Sequence, residues 1–319
     1  MTARGGCPGR VMPLEHPTVT TTTIPNQPRP TSRRRAVAAL YRHRAAQLLL
    51  LLSPPGAWFV VIYLGSLIVL FVAAFWYLDP TTSAVVKEFS LQNFQQILTD
   101  PTYRVITLRT LGFALAVTAT DIVLALPLAY YMARMAGPRT RALMVILVLL
   151  PLWSSYLVRV YAWRVILQPG GPADWVASLF GFESLGLYPS DWAVWIVFSY
   201  IWLPYMVLPI FAGFERIPAS LLEASADLGA KGWTTFRRVV MPLALPAVAA
   251  GSIFTFSLTL GDYVTPSLVS NTQFIGNVVY DNQGVANNLP FAAAYATVPV
   301  VIVAIYLMLV RRLGAFEAL

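Results

Sequence analysis

Two aspartates in apolar segments are the side chains whose type and position best suit chemistry, and that chemistry is the binding of a cation. Asp121 lies in the middle of an apolar stretch, and Asp262 ends another, between Gly261 and Tyr263. A carboxylate binds a cation through charge-assisted hydrogen bonds, and an aromatic face attracts it through a cation–π interaction. The candidate residues of a binding pathway are Asp121, Trp153, Tyr156, Arg159, Asp262 and Tyr263.

Groups for nucleophilic, metal or phosphate chemistry are scarce. The single cysteine, Cys7, and the two histidines, His16 and His43, lie near the N-terminus, so we expect no metal-ligand cluster and no Cys/His nucleophile pair. Neither Lys87 nor Lys231 follows a glycine, as the phosphate-binding pattern G-x-x-x-x-G-K-[ST] requires. We therefore expect that this chain is not an enzyme and binds no metal or cofactor itself.

The composition is that of an integral membrane protein. Hydrophobic residues make up 57% of the 319 residues, charged residues make up 11%, and the mean hydropathy is +0.65. A helix of about 20 apolar residues crosses the hydrocarbon core of a bilayer. The six predicted spans are residues 55–78, 110–133, 143–167, 192–214, 243–263 and 291–310. The expected fold class is all-α, with six transmembrane helices.

The distribution of basic residues predicts the orientation of these spans. Seventeen of the 22 Lys and Arg residues fall on the same side of the membrane as the N-terminus. Because Lys and Arg accumulate in cytoplasmic loops, both termini are predicted to be cytoplasmic. The net charge of +8 then reflects topology and contact with membrane lipid, and it does not indicate a nucleic-acid partner.

Residues 1–44 are expected to be distinct from a membrane domain of residues 45–319. The first ~35 residues are rich in Pro, Thr and Arg and have little apolar surface to bury, which predicts a disordered, basic cytoplasmic tail. Residues 45–52 are apolar but are followed by Ser53, Pro54 and Pro55, which predicts an interfacial helix that breaks before the first span. An uncleaved anchor is favoured over a signal peptide, because no clear A-x-A site follows a short apolar core.

The candidate pathway residues also have interpretations that need no ligand. Asp121 and Arg159, on neighbouring antiparallel spans, lie within about four residues of equal depth, or ~6 Å of helix rise, and could form a buried ion pair. Asp262 has no basic neighbour in sequence and is the stronger candidate, but it could also cap a helix end. Trp and Tyr are enriched at membrane interfaces for reasons unrelated to binding.

A polar, charged segment over residues 215–242 separates the fourth and fifth spans. Ser220 and Glu223 have the spacing of a capping box, which predicts a short helix that begins near Leu221. Gly229 is expected to end this helix in the left-handed conformation. By helical spacing, Leu221, Leu222, Ser225 and Leu228 are predicted to lie on one face of this helix.

A second helix is expected to begin near Thr234 in the same segment. Its inward side chains are predicted to be Phe236, Val239 and Val240, and its outward ones Arg237 and Arg238. Pro242 is expected where the chain enters the fifth span. The segment is therefore predicted to be a helix-turn-helix on the cytoplasmic side.

In every interval, this segment resembles the cytoplasmic signature of ABC-importer permeases. It reads Glu-Ala-Ser, three residues, glycine, nine residues, then Val239, Met241 and Pro242. Ser225, Val239 and Met241 replace the family's usual alanine, isoleucine and leucine, which are conservative changes. The resemblance covers about residues 53–312 and implies the type I importer fold with a coupling helix. The residues to which it gives a coupling role are Glu223, Ala224, Ser225, Asp227, Gly229 and Pro242.

The resemblance also implies a set of partners in the bacterial cytoplasmic membrane. An ABC ATPase dimer would bind ATP and Mg and would receive the coupling helix in a groove. Because that dimer offers two grooves and this chain has one coupling helix, a second permease subunit is expected, related but not identical. An extracytoplasmic substrate-binding protein would deliver the substrate.

Three further stretches resemble permeases of the spermidine/putrescine type. They are LPLWSSYLVRVYAWRVIL at residues 150–167, YIWLPYMVLP at 200–209 and GDYVTPSLV at 261–269. The implied substrate is a polyamine, an extended cation that suits carboxylates and aromatic faces. Permeases for opines, ferric iron, phosphonates or amino-acid derivatives share much of this pattern and are the alternative.

Two other classes of protein are less well supported. A membrane-embedded enzyme would need His, Cys or paired carboxylates within the spans, and the sequence has none of these there. A scaffold that recruits a soluble partner would need only the segment at residues 215–242. Co-purification with an ATPase without substrate-stimulated hydrolysis would identify a scaffold.

Overall fold

The computed structural model of the chain describes residues 44–182 and 184–312. Cys7, His16, His43 and, apart from Arg44, the predicted tail lie outside the described residues. Two compact units are distinguished, with the boundary between Tyr63 and Leu64. The candidate pathway residues and the segment at residues 215–242 all belong to the second unit.

The described residues are mainly helical. The α-helices are α1 (Arg44–Trp58), α2 (Gly65–Ala73), α3 (Gln92–Thr99), α4 (Pro101–Tyr130), α5 (Pro138–Leu149), α6 (Tyr156–Leu167), α7 (Pro172–Ser178), α8 (Asp191–Arg216), α9 (Ala219–Asp227), α10 (Gly232–Thr235), α11 (Met241–Gly261), α12 (Val264–Val269), α13 (Ile275–Gly284) and α14 (Leu289–Arg312). The π-helical stretches are Phe59–Leu64, Tyr131–Met135 and Phe236–Val240, and Leu150–Trp153 is a 3-10 turn. Strands β1 (Tyr77–Leu78) and β2 (Val85–Val86) pair antiparallel, with Tyr77 opposite Val86 and Leu78 opposite Val85.

Five of the described helical runs are long and apolar enough to cross a membrane. They are Leu51–Ala73, Pro101–Met135, Asp191–Arg216, Gly232–Gly261 and Leu289–Arg311. A bent pair, Pro138–Trp153 and Tyr156–Ser178, makes a sixth span if it is counted as one. Six spans were predicted, and this arrangement fits that number.

The predicted third span over residues 143–167 is not one straight helix. Its two halves meet at an angle of 96°. Ser154 between them has an extended backbone, Ser155 is not helical, with φ of −58° and ψ of 138°, and the Ser154 hydroxyl donates to the carbonyl of Pro151 at 2.7 Å. Serine hydroxyls that bond nearby backbone groups compete with helical hydrogen bonds, and Pro151 has no N–H to donate.

The predicted break before the first span is not found. Helix α1 includes both Pro54 and Pro55. Prolines are tolerated within membrane-spanning helices, because local adjustments satisfy the backbone groups that they leave free.

The second and fifth spans begin earlier than predicted. Asp100 caps α4 by accepting from the Thr102 N–H at 2.8 Å, which starts the second helix before Thr110. The fifth span begins at Gly232, inside the polar segment, because the helix continues without a break into the apolar stretch.

Helices α4, α8 and α11 pack together at the centre of the second unit. A Cβ on Gly213 would collide with the Cβ of Ala247, and one on Gly251 would lie 2.8 Å from the Sδ of Met206. Such small residues let helix backbones approach closely. These contacts show that α8 and α11 run antiparallel, and we call the end with Arg134, Arg141 and Arg216 the basic end.

Helix α14 completes the packing around this centre. The Tyr295 hydroxyl lies 3.1 Å from the Thr107 Oγ1 on α4, and the Tyr306 hydroxyl donates to the Ser252 Oγ on α11 at 2.8 Å. The last span is therefore tied to the second and the fifth.

Candidate functional site

The first helix of the polar segment, α9, begins without a side-chain cap. Its N-cap is Pro218, and no side-chain hydrogen bond is found there. The predicted capping box of Ser220 and Glu223 is therefore wrong. The helix starts at Ala219, so Ser220 already lies within its first turn and cannot act as the cap.

The end of α9 is as predicted. Gly229 has φ of +75°, in the left-handed region. Its N–H donates to the carbonyl of Ala226 at 2.8 Å, and the N–H of Ala230 donates to the carbonyl of Ser225 at 3.1 Å. This is the hydrogen-bond pattern of a Schellman motif, which satisfies the last carbonyls of a helix. Nothing lies within 4 Å of a Cβ built on Gly229, so backbone conformation alone requires glycine there.

A hydroxyl pair joins the two helices of the segment. The Ser225 Oγ lies 2.9 Å from the Thr235 Oγ1, and Ser225 is buried. The second helix starts at Gly232, slightly before the predicted Thr234, and Pro242 is exposed in the first turn of α11.

The predicted faces of the second helix are confirmed. Phe236 and Val239 are half-buried and Val240 is buried, whereas Arg237 and Arg238 are exposed.

The outer surface of the segment carries acidic and apolar side chains together. Glu223, Ala224 and Asp227 are exposed. Leu228 is 88% exposed and Trp233 is 72% exposed, on either side of the Gly229 turn.

The four residues predicted on one face of α9 differ in burial. Ser225 is buried and Leu222 half-buried, but Leu221 is 42% exposed and Leu228 is almost fully exposed. Leu228 is the C-cap, with φ of −77° and ψ of 7°, so helical spacing no longer sets the direction of its side chain. Trp233 was not predicted at this surface, although a tryptophan in an otherwise polar stretch was a signal.

At the opposite end of the fifth span, the Asp262 carboxylate is held by a cluster of hydrogen bonds. Its Oδ1 accepts from the N–H of Val264 at 2.8 Å and of Thr265 at 3.3 Å. Its Oδ2 accepts from the Thr265 Oγ1 at 3.1 Å and from the Tyr156 hydroxyl. Asp262 is only 9% exposed. We call Asp262, Thr265 and Tyr156 the Asp262 cluster.

The other predicted pathway residues are not gathered into one site. Arg159 lies near this cluster, with its Cζ 6.0 Å from the centre of the Tyr156 ring. Tyr263 stacks on Tyr280 with centroids 4.6 Å apart. Trp153 is 90% exposed at the bend of the third span.

Asp121 on α4 is fully buried, and its ion pair with Arg159 is not formed. Within the described part of the chain, both Asp121 oxygens and the Arg159 Nε and Nη1 lack hydrogen-bond partners. The prediction assumed two straight antiparallel spans. The 96° bend before Tyr156 removes that geometry.

Three more side chains, on the packed helices α8 and α11, have buried polar atoms without a partner among the described residues: the Ser199 Oγ, the Trp202 Nε1 and the Thr255 Oγ1. Val117, one turn before Asp121, belongs to the same core cluster as Trp202. The contact of Gly251 with Met206 places Thr255 and Trp202 at a common level, each one turn away. We call Asp121, Ser199, Trp202 and Thr255 the polar layer.

A known family accounts for this architecture. The model of the binding-protein-dependent transport system inner membrane component matches residues 125–315, which is more than half of the chain. The chain belongs to this family.

Two similar proteins support the assignment of this chain to the permease family. The inner membrane ABC transporter permease protein YdcU of Escherichia coli K12 is 47% identical over 276 residues, which cover 82% of this chain and 88% of the relative. The spermidine/putrescine transport system permease protein PotB of the same strain is 30% identical over 236 residues, with coverages of 72% and 84%.

The permease also shares its fold with a solved transporter. A bacterial alginate ABC transporter, in complex with a periplasmic protein bound to alginate pentasaccharide, superposes with a TM-score of 0.66 at 16% identity, covering 89% of this chain and 98% of that one. The fold is that of type I importer permeases. The protein is thus an integral inner-membrane subunit of an ABC importer, and such transmembrane subunits are not themselves enzymes.

Two residues important to the arrangement of the permease escaped the sequence analysis. Thr265, three residues after Asp262, donates from its N–H and its hydroxyl to the Asp262 carboxylate, and this spacing was a further signal for the helix-end role that Asp262 suggested. Trp202, which belongs to the polar layer, stacks on Tyr156 of the Asp262 cluster with centroids 6.0 Å apart and so connects the two groups. No local pattern marks it, because the two residues meet only through the fold.

Proposed function

We propose that this permease subunit helps to form the pathway of an importer for polyamines such as spermidine or putrescine. The observation that carries the proposal is Asp121, a fully buried carboxylate among packed spans whose two oxygens have no partner among the described residues. A buried charge without a partner is costly, so such residues within membranes are mostly functional. The 30% identity to PotB over 72% of this chain supports a polyamine as the substrate.

We propose Asp121, and not Asp262, as the stronger candidate for contact with the substrate, although the sequence alone favoured Asp262. Asp262 already accepts four hydrogen bonds, so a cation would have to displace a donor to reach it. No donor among the described residues occupies the Asp121 oxygens, so a cation would displace none there. We infer that Asp121 contacts the ammonium groups of the substrate, and that Asp262 with Tyr156 and Tyr263 shapes the pathway nearer its other end. In this proposal Arg159 and Trp153 lie along its edge.

We further propose that the segment at residues 215–242 docks on an ABC ATPase. The apolar side chains of Leu228 and Trp233 are exposed beside a rigid turn, and such residues are enriched in protein interfaces. Glu223, Ala224 and Asp227 would surround them as a polar rim. ATP and Mg would be bound by that partner, in a dimer that receives one such segment from this chain and one from a second, related permease.

The remaining parts of the proposal concern orientation and delivery. The basic end, the docking segment and both termini would lie in the cytoplasm, as the distribution of Lys and Arg favours. A substrate-binding protein would dock on the outer side. The alginate transporter that shares this fold was solved with a periplasmic protein bound, which supports such a partner.

A different small solute is the second candidate. The name of YdcU, which is 47% identical to this chain, states no substrate. An opine, ferric iron, a phosphonate or an amino-acid derivative therefore stays the alternative.

Uptake by the complete complex in proteoliposomes tests the substrate. We expect labelled spermidine or putrescine to accumulate with ATP, and Asp121→Asn to reduce this uptake at least about tenfold, because the amide keeps the shape but removes the charge. Asp262→Asn should reduce it less and should also lower the melting temperature, since its carboxylate holds a cap.

The control for these variants is Glu88→Gln, which removes an exposed acidic group between the first two spans. It should leave uptake unchanged. Absence of polyamine uptake by a complex that still hydrolyses ATP in response to another solute would contradict the polyamine proposal. Full uptake by Asp121→Asn would remove Asp121 from the pathway.

A further inference from the structure

An arginine at the end of the second span holds the end of the fourth. Arg134 lies in the π-helical stretch Tyr131–Met135 that follows α4. Its Nη2 donates to the carbonyl oxygen of Ile217 at 2.6 Å and to that of Phe214. Both carbonyls belong to the last turn and the C-cap of α8.

A second arginine holds the end of the second span to the start of the third. Arg141 in α5 donates from its Nε to the carbonyl of Met132 at 3.1 Å and from its Nη2 to that of Ala133 at 3.0 Å. Its Nη1 lies 3.1 Å from the Glu215 Oε1 on α8. We call Arg134 and Arg141 the arginine clamp.

The clamp uses the chemistry of helix ends. The last carbonyls of a helix have no partner within it and carry the negative end of the helix dipole. A guanidinium group satisfies several of them at once through charge-assisted bonds. The Arg141–Glu215 pair is about 40% exposed on both sides and adds little, so the carbonyl bonds dominate.

The clamp holds the chain at the start of the docking segment. Ile217, whose carbonyl Arg134 holds, is followed by Pro218, the N-cap of α9. Ile217 is buried in one core cluster with Met132 and Ala133 from the end of the second span, and Leu222 of α9 packs against the same cluster. The first turn of α9 and the ends of the second and fourth spans are therefore connected by hydrogen bonds and by packing.

We propose that the arginine clamp transmits movement of α9 to the second and third spans during transport. This inference rests on the proposed docking of an ATPase on the segment at residues 215–242. The chain itself connects α9 only to the fourth and fifth spans. The clamp adds the second span, which carries Asp121, and the beginning of the third, so that these spans move with α9 as one body. Arg134 and Arg141 are positioning residues in this scheme, since neither contacts the substrate.

The coupling of uptake to ATP hydrolysis tests the clamp in the complete complex in proteoliposomes. Arg134→Met should still co-purify with the ATPase and hydrolyse ATP, but the amount of spermidine taken up per ATP hydrolysed should fall about tenfold, within the range of typical coupling between sites. Arg134→Lys, which keeps the charge and some donors, should restore part of this ratio.

Arg139→Met is the matched control. Arg139 is exposed two residues before Arg141, and no hydrogen bond or ion pair is found for it within the described residues. Its loss should leave the ratio unchanged. A normal ratio in Arg134→Met would overturn the clamp, as would loss of ATPase binding by that variant. If the unaltered chain never binds an ATPase, the proposed function fails instead.

A distance measurement on the intact clamp does not depend on the stability of these variants. Spin labels would be placed by Met135→Cys and Ser220→Cys, at exposed positions on either side of the clamp, with Cys7→Ser removing the chain's single cysteine. The distance between the labels should be the same with and without ATP. A change in this distance upon ATP binding would show that α9 moves independently of the second span and would overturn the proposal.

Discussion

The docking segment and the Asp262 cluster lie at the two ends of the fifth span and are built in opposite ways. The docking segment closes with bonds between near neighbours, such as the Gly229 N–H to the Ala226 carbonyl, and leaves Trp233 exposed. The Asp262 cluster joins Tyr156 and Asp262, which are 106 positions apart, and is buried. Both are turns at helix ends, but the bonds that close the Gly229 turn are local, whereas those of the Asp262 cluster join distant parts of the chain.

This difference separates two kinds of effect. A turn held by local bonds keeps its shape when it moves, so it suits a surface that follows a partner. A buried cluster of long-range bonds fixes spans relative to each other. We therefore expect changes in the docking segment to affect uptake more than stability, and changes around Asp262 to affect stability first.

The largest effect is expected for Gly229→Val. The left-handed conformation at φ of +75° costs a residue with a Cβ about 1–2 kcal/mol, and more when the side chain is β-branched. The turn should rearrange and displace Leu228 from the docking surface. Uptake by the complete complex should be abolished, while the affinity of the complex for the substrate-binding protein stays unchanged.

Gly229→Asn is the matched comparison, because asparagine tolerates the left-handed conformation. It should retain most of the uptake. Normal uptake in Gly229→Val would show that the local turn is dispensable, which would contradict the expectation that changes in the docking segment mainly affect uptake.

A smaller effect, on stability, is expected for Gly276→Ala next to the Asp262 cluster. The added Cβ would lie 2.8 Å from the carbonyl oxygen and 2.9 Å from the carbonyl carbon of Asp262. Backbone atoms cannot move aside as a flexible side chain does, so we expect a loss of about 1–3 kcal/mol, as in other overpacked sites. A lower melting temperature in detergent would measure it.

Gly284→Ala, at the end of the same helix α13, is the control. Nothing lies within 4 Å of a Cβ built there, so the melting temperature should not fall. Equal melting temperatures for Gly276→Ala and the unaltered protein would show that the backbone around Asp262 yields easily, contrary to our view of the cluster as rigid.

The smallest effect is expected for the hydroxyl pair of the docking segment. Ser225→Ala and Thr235→Ala should each cost about 1 kcal/mol, and the double variant should cost less than their sum because both remove the same bond. Chemical unfolding in detergent measures the four proteins. Ser220→Ala, at an exposed position of the same helix, should have no effect. Strictly additive losses would argue against the bond.

Local chemistry explains which features could be predicted from the sequence. Gly229 ends α9 as expected because a left-handed turn favours glycine wherever it occurs. The outward direction of Arg237 and Arg238 follows from charge and helical period alone. The family could be inferred for the same reason, because its signature in the docking segment is a spacing of residues that lie close together in sequence.

Features that depend on distant contacts were missed. The separation of Asp121 from Arg159 depends on the bend at Ser154 and Ser155, and two serines after an apolar run do not by themselves specify a 96° angle. The polar layer depends on the approach of α8 and α11 at Gly251, which no single segment reveals. The role of Asp262 at a helix end is an exception, because it could be expected from the local sequence, in which Thr265 three residues later was a further signal.

The helical run from Gly232 to Gly261 is continuous, so a small tilt at one end of it becomes a larger displacement at the other. Thirty residues of helix measure about 45 Å, so a tilt of about 5° at the basic end swings the far end by about 4 Å. Asp262 is the next residue, and a hydrogen bond survives a stretch of only about half an ångström. Such a displacement must therefore either break the hydrogen bond between the Tyr156 hydroxyl and Asp262 or move the bent third span together with the fifth.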